Sequence, residues 1–174
     1  MASSPYQVLC VCLGNICRSP TAEIVLKHYV KLAGLAVEID SAGTSNYHPH
    51  KAPDVRTQRV ARARGYDLSH LRARQICRED YDQFDLILAM DEANLSDLHW
   101  KVSNLVQQGE LDETVLDRLA LMSEHDPKFP RQAVPDPYFG QASDFERVID
   151  QCESAAQAWI DYWQSNPKIL RRQS

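Results

Sequence analysis

No run of apolar residues in this chain approaches the length needed to cross a bilayer, which removes a spanning helix from consideration. The N-terminus, Met1-Ala-Ser-Ser-Pro5, lacks the charged and apolar regions of a secretory signal. An excess of positive charge is missing too. Lys and Arg number 19 against 24 Asp and Glu, a formal net charge of −5, so the chain as a whole is no electrostatic match for nucleic acid. The cysteines do not make a disulfide framework: there are five, an odd number, and three of them (Cys10, Cys12 and Cys17) crowd into one segment. A reducing cytoplasm with no membrane partner fits these absences, and there a free thiol is available for chemistry. Internal repeats, low-complexity tracts and linkers are also absent. The 174 residues, 44% hydrophobic, suit one domain over 1–174 that buries its core without staples.

What is present alternates between two periodicities. Tyr6 to Cys12 is a short apolar run suited to a strand buried on both faces. Ser19-Pro20 reads as a helix start, with Ser as cap and Pro in the first turn. Ala22, Val25, Leu26, Tyr29 and Ala33 follow at helical spacing, and Gly34 is placed to end that helix. Leu35 to Ile39 reads as a second strand closed by Ser41-Ala-Gly-Thr44, Asp54 to Arg64 as a helix, and Phe84 to Met90 as a buried strand. Asp91 is placed to cap a helix through Leu95, Leu98 and Val102, and Leu119 to Met122 is a weaker strand. Ser143-Asp-Phe-Glu146 is a capping-box pattern ahead of an apolar stripe from Phe145 to Trp163, which reads as core. Strands alternating with helices imply a parallel sheet covered on both faces, with ligands beyond the carboxyl ends of its strands. Cys12, Ser41 and Asp91 fall at such ends.

The chemistry concentrates in Cys12-Leu13-Gly14-Asn15-Ile16-Cys17-Arg18-Ser19. A loop leaving a strand and entering a helix presents backbone N–H groups, and the positive end of the helix dipole, to an anion. Gly14 and Asn15 tolerate the left-handed backbone of a tight cradle. Arg18 offers a planar fork that matches two phosphate oxygens. The same field favours Cys12 as thiolate, the nucleophilic form, and Ser19 is placed to hydrogen-bond the sulfur.

Val11 to Pro20 resembles the signature of the low-molecular-weight protein tyrosine phosphatases. Ser41-Ala-Gly-Thr44 resembles that family's second segment, and Asp136-Pro137-Tyr138 its acid loop. The resemblance runs from about Tyr6 to Trp163. It implies a flavodoxin-like doubly wound four-stranded parallel sheet, with helices on both faces. It implies two-step hydrolysis of phosphotyrosine and aryl phosphates with no metal or other cofactor. Cys12 is then the nucleophile, Arg18 the phosphate clamp and Asp136 the general acid. Inorganic phosphate is the product, and the partners are phosphotyrosine-containing proteins, a tyrosine kinase among them. The family pattern usually has a second Tyr after Tyr138; Phe139 here puts in doubt any regulation through tyrosine phosphorylation at that position.

By the same resemblance, His70 has a family counterpart that braces the phosphate loop, with Asn15 and Ser41 completing a hydrogen-bonded support. Asp91 reads as a further brace or as a helix cap. His48 and His50 lack the neighbours a zinc site needs. Tyr47 and Tyr138, with Leu13, are candidates to wall a slot for a flat ring, although an exposed loop residue is the plainer reading of Tyr47. Cys17 is a candidate to capture oxidised Cys12 as a disulfide. The basic stretch from Lys51 to Arg78 reads as a solvated face or as a docking surface for acidic or phosphorylated partners. Two rival functions remain. Thioredoxin-coupled arsenate reductase shares the loop but needs two further cysteines close together downstream, whereas only Cys77 and Cys152 follow. A non-catalytic phosphotyrosine-binding module would be expected to have lost Cys12 or Asp136, and both are present.

Overall fold

The first strand, β1 (Tyr6–Cys12), alternates between two apolar environments. Val8, Cys10 and Cys12 join one hydrophobic cluster, and Leu9 and Val11 join the other. That is the period-two pattern of a strand covered on both faces. The structure, a computed structural model, describes residues 4–171. Its sheet holds β1, β2 (Val37–Gly43), β3 (Leu86–Ala89) and β4 (Leu119–Leu121) in the order β2-β1-β3-β4, all parallel. The helices are α1 (Arg18–Ala33), α2 (Val55–Ala63), α3 (Arg78–Gln83), α4 (Glu92–Gln107) and α5 (Ala142–Ser165). The expected four-stranded parallel sheet with helices on both faces is the observed one.

One core layer lies under α1 and α5, where Val25, Leu26, Ile149, Cys152, Trp159 and Trp163 meet β1 and β3. The other lies under α3 and α4, through Tyr81, Phe84, Leu95, Leu98 and Val102. Each fully buried side chain of this size contributes about 1.5–3 kcal/mol relative to exposure. The stripe expected from Phe145 to Trp163 is buried along α5. Both layers anchor the strand whose end carries Cys12.

Element boundaries depart from expectation where side chains are drawn elsewhere. Gly34 ends α1 in a left-handed conformation, its N–H reaching the carbonyls of Val30 and Lys31. The next strand starts two residues later than read and runs on through Ser41-Ala-Gly43, because each of these pairs with β1 as far as Cys12. α1 starts at Arg18 with Cys17 at its cap, since the Ser19 hydroxyl turns to Cys12 rather than to the helix. α5 is capped by Gln141 with Asp144, not by Ser143. Phe84 ends α3, a short helix not anticipated after the basic stretch, so β3 is shorter than its apolar run. Asp91 does cap α4, accepting from the Asn94 N–H.

Candidate active site

β1 ends at Cys12 and the chain turns through Leu13–Cys17 into α1. The Cys12 Sγ lies 3.0 Å from the Ser19 Oγ and accepts the Asn15 N–H at 3.3 Å. Asn15 takes the left-handed backbone, at φ 56°. Gly14 does not; its requirement is space, because a Cβ there would stand 3.1 Å from the His48 Cδ2. The loop rests on the end of β2. Thr44 N–H donates to the Cys12 carbonyl at 2.8 Å and Ser45 N–H to the Leu13 carbonyl at 3.0 Å. Just before them Gly43 has no room for a side chain, since a Cβ would meet the Leu13 carbonyl oxygen at 2.6 Å.

A buried polar chain supports the loop from beneath. The Asn15 Nδ2 donates to Ser19 Oγ at 2.8 Å and to Ser41 Oγ at 3.0 Å. Ser41 donates in turn to Glu23 Oε2 at 2.6 Å. The other Glu23 oxygen takes Lys27 at 2.6 Å, and Glu23 itself is buried. The third contact of the Asn15 amide is the Arg74 backbone N–H, 3.0 Å from its Oδ1. His70, expected in this support, is not part of it. It lies exposed beside Asp67, because Leu68 is the residue drawn into the core there. The N–H that reaches Asn15 comes four residues later, where the chain bridges to Gly43 at Gln75.

Arg18 is buried and crosses the mouth of the loop. Its Nη1 pairs with Asp91 at 2.5 Å and donates to the Val134 carbonyl at 3.2 Å; its Nη2 stands 3.6 Å from Asp136. Burial works against the cation, but Cys12, Asp91 and Asp136 outweigh it and hold the guanidinium firmly charged. Asp91 is therefore both cap and brace. Burial pushes Cys17 up to about 12 and raises Cys10 and Cys152 as well, leaving all three as neutral thiols.

Above the loop is a cavity of about 320 Å³. Cys12, Gly14, Cys17 and Arg18 form its floor, with Leu13 and Ile16 beside them. Tyr47, His48, Asp136, Tyr138 and Phe139 form its walls. Tyr47 and Phe139 are both largely exposed, so the walls are open on both sides. Asp136 is half-exposed, and its Oδ1 accepts the Tyr138 N–H at 3.1 Å. Val134, just before it, is tied to the Met90 carbonyl at the end of β3.

A sequence model of the low molecular weight phosphotyrosine protein phosphatase family matches residues 7–173. The chain belongs to this family. It is 42% identical over 160 residues to the low molecular weight phosphotyrosine protein phosphatase of Pongo abelii, covering 91% of this chain and 96% of that one. It superposes on a protein tyrosine phosphatase of Entamoeba histolytica with a TM-score of 0.82 and 34% identity, over 93% of this chain and 99% of the other. It also superposes on Vibrio vulnificus Wzb in complex with benzylphosphonate with a TM-score of 0.75 and 25% identity, over 90% and 98% of the two chains. This phosphatase is thus an enzyme acting on phosphotyrosine in proteins. Among its described residues no helix is long and apolar enough to cross a membrane.

Several residues of the phosphatase site escaped sequence reasoning. Glu23 and Lys27, four apart on a helix, look like an ordinary surface pair. Arg74 belongs to a stretch that reads as solvated, yet it pairs with Asp40 and Asp80. Arg64 and Arg78 of that stretch are also spent on internal ion pairs, while Lys51, Arg59 and Arg62 are exposed. His48, weighed only as a metal ligand, packs against Tyr138 with ring centroids 6.3 Å apart. Gly43 was visible only as part of a motif.

Proposed function

We propose that the phosphatase works through a phospho-enzyme on Cys12. The Cys12 thiolate attacks phosphorus while the loop N–H groups and Arg18 hold the phosphoryl oxygens. The ester oxygen leaves with a proton from Asp136. In the second step Asp136 takes a proton from water, the hydroxide attacks phosphorus, the P–S bond breaks, and inorganic phosphate departs. Ser19 hydrogen-bonds the sulfur as it leaves. One observation carries this reading: Cys12 forms the floor of the cavity, within 3.0 Å of Ser19, with Arg18 between it and Asp136.

Tyr47, Tyr138 and Leu13 wall a slot for the phenyl ring, and the benzylphosphonate bound by the Vibrio protein is a ligand of that shape. The whole chain, 1–174, is read as one phosphatase domain working in the cytoplasm on phosphotyrosine proteins, a tyrosine kinase among them. Acid-quenching the enzyme during turnover of a labelled phosphotyrosine peptide is expected to leave phosphate bound to Cys12, and Cys12→Ser to leave none. Label on another residue overturns the assignment. Under peroxide, Cys12 becomes a sulfenic acid that the Cys17 thiol converts to a disulfide with release of water. Peptide mapping tests this; a sulfinic Cys12 that dithiothreitol does not rescue rules it out.

A further inference from the structure

Asp136 lies in an irregular loop, its Oδ1 held by the Tyr138 N–H and its Oδ2 facing Arg18 at 3.6 Å, so something must hold that loop against the phosphate loop. The guanidinium of Arg56 is placed to do so. Its Cζ lies 5.4 Å from the centroid of the Tyr138 ring and 4.7 Å from that of Phe145. Phe145 is fully buried in the first turns of α5, packed with Ile16 and Cys17 of the phosphate loop. The same guanidinium grips Asp54 at two points, Nε to Oδ1 at 3.0 Å and Nη2 to Oδ2 at 2.8 Å. Asp54 caps α2 and donates its own N–H to the Ile16 carbonyl at 2.8 Å. Arg56 is therefore fixed to the phosphate loop on one side and lies against Tyr138 on the other. Tyr138 passes that position to the acid, because its backbone N–H is the donor that holds Asp136 Oδ1.

We propose that Arg56 is a positioning residue for the general acid: a cation held between two rings that sets the Asp136 loop over Cys12. It touches no reacting atom. A Lys in its place would keep charge over the rings and lose the two-point grip on Asp54. The proposal rests on the reading of Asp136 as the acid, and the experiment separates the two. A misplaced acid harms poor leaving groups and spares good ones, whereas damage to the phosphate cradle harms all alike.

The measurement is kcat/KM across aryl phosphates, from phenyl phosphate to 2,4-dinitrophenyl phosphate, for wild type, Arg56→Ala, Arg56→Lys, Asp136→Asn and Arg56→Ala with Asp136→Asn. For two ring contacts at a partly exposed site, Arg56→Ala is expected to lose about tenfold on phenyl phosphate. On the dinitrophenyl ester the loss is expected to fall below about twofold, because that leaving group needs no proton. Arg56→Lys is expected to lose less than about threefold, and Arg56→Ala to cost nothing more once Asp136 is Asn. Arg56→Gln, which keeps reach to Asp54 without the charge, carries the same test if the Ala variant folds poorly. A loss equal across the series, a loss that persists in the Asp136→Asn background, or a Lys variant as impaired as the Ala variant overturns the role of Arg56. A flat loss for Asp136→Asn itself overturns the acid assignment and the proposal with it.

Discussion

The two loops that meet at the cavity are built on opposite terms. The phosphate loop is interior: Cys12, Asn15, Arg18 and Ser19 are each 4% exposed or less, and its contacts are hydrogen bonds to backbone and to a buried polar chain. The acid loop is surface: the Asp136 side chain is 48% exposed and Phe139 is 97% exposed. It is tied down at Val134, to Met90 and Arg18, and beyond that its holds are the pairing of Asp136 with Arg18, ring contacts and a hydrogen bond within the loop from Tyr138. On the proposed mechanism, the difference follows from what each loop binds. A phosphoryl group is the same in every substrate, so its cradle is fixed in advance of binding. The leaving group belongs to a protein that must dock and depart, so the side that serves it lies open.

Substitutions test this contrast. Cys12→Ser is expected to remove at least about 10⁴-fold of the turnover, on the scale seen when covalent nucleophiles are removed, while phosphate or vanadate binding survives weakly, since the cradle does not depend on the sulfur. Steady-state rates and a vanadate titration read both quantities, and substantial hydrolysis by this variant would break the covalent scheme. Asp136→Asn is expected to cost roughly 10²–10⁴-fold on phosphotyrosine, with a smaller cost for esters of acidic phenols. Arg18→Lys is expected to cost roughly 10²–10³-fold on every ester alike, the scale of losing one preorganised donor. A graded loss for Arg18→Lys, or a flat one for Asp136→Asn, would erase the distinction between cradle and acid side.

Gly43→Ala probes how closely the cradle rests on its sheet. The added methyl meets a backbone oxygen at 2.6 Å, not a side chain that could swing away. Overpacking of this kind costs about 1–3 kcal/mol, or roughly 2–12 °C in melting temperature for a chain this long. A melting curve unchanged from wild type would mean that the loop gives way easily. The smallest effects belong to the open walls. Tyr47→Ala and Tyr138→Ala are each expected to lower kcat/KM on phosphotyrosine peptides about two- to tenfold, the worth of one ring contact. If both keep full efficiency, the aromatic slot is wrong.

The same contrast explains how much could be read from the chain before its structure. Everything from Cys12 to Ser19 lies in eight consecutive residues, so spacing alone carries its geometry. Ser41 and Asp91 were placed because strand ends in a parallel sheet converge on one rim. The acid side depends on meetings that spacing does not encode: Arg56 with Tyr138 and Phe145, His48 with Tyr138. His70 was misplaced for a related reason. The contact attributed to its ring is made by a main-chain N–H, that of Arg74, and any residue at that position supplies one. Glu23 was hidden by its own neighbour, since a Glu followed by Lys four residues on has the signature of solvent rather than of the interior.

The chain beneath the phosphate loop has a polarity. A carboxylate only accepts, so Glu23 obliges Ser41 to give its hydrogen inward. Ser41 is then left with lone pairs for Asn15, whose amide is turned the same way a second time by the Arg74 N–H at its oxygen. With its NH₂ so directed, Asn15 fills a lone pair of Ser19. The one hydrogen Ser19 still owns has two acceptors in reach, the sulfur at 3.0 Å and the Ala42 carbonyl at 3.3 Å. The traffic down to Ser19 runs one way, set first by Glu23 and again by the Arg74 N–H, neither of which meets substrate. Replacing Glu23 by Gln would keep every atom in reach and release only the arrow at Ser41, because the Arg74 N–H still turns the Asn15 amide.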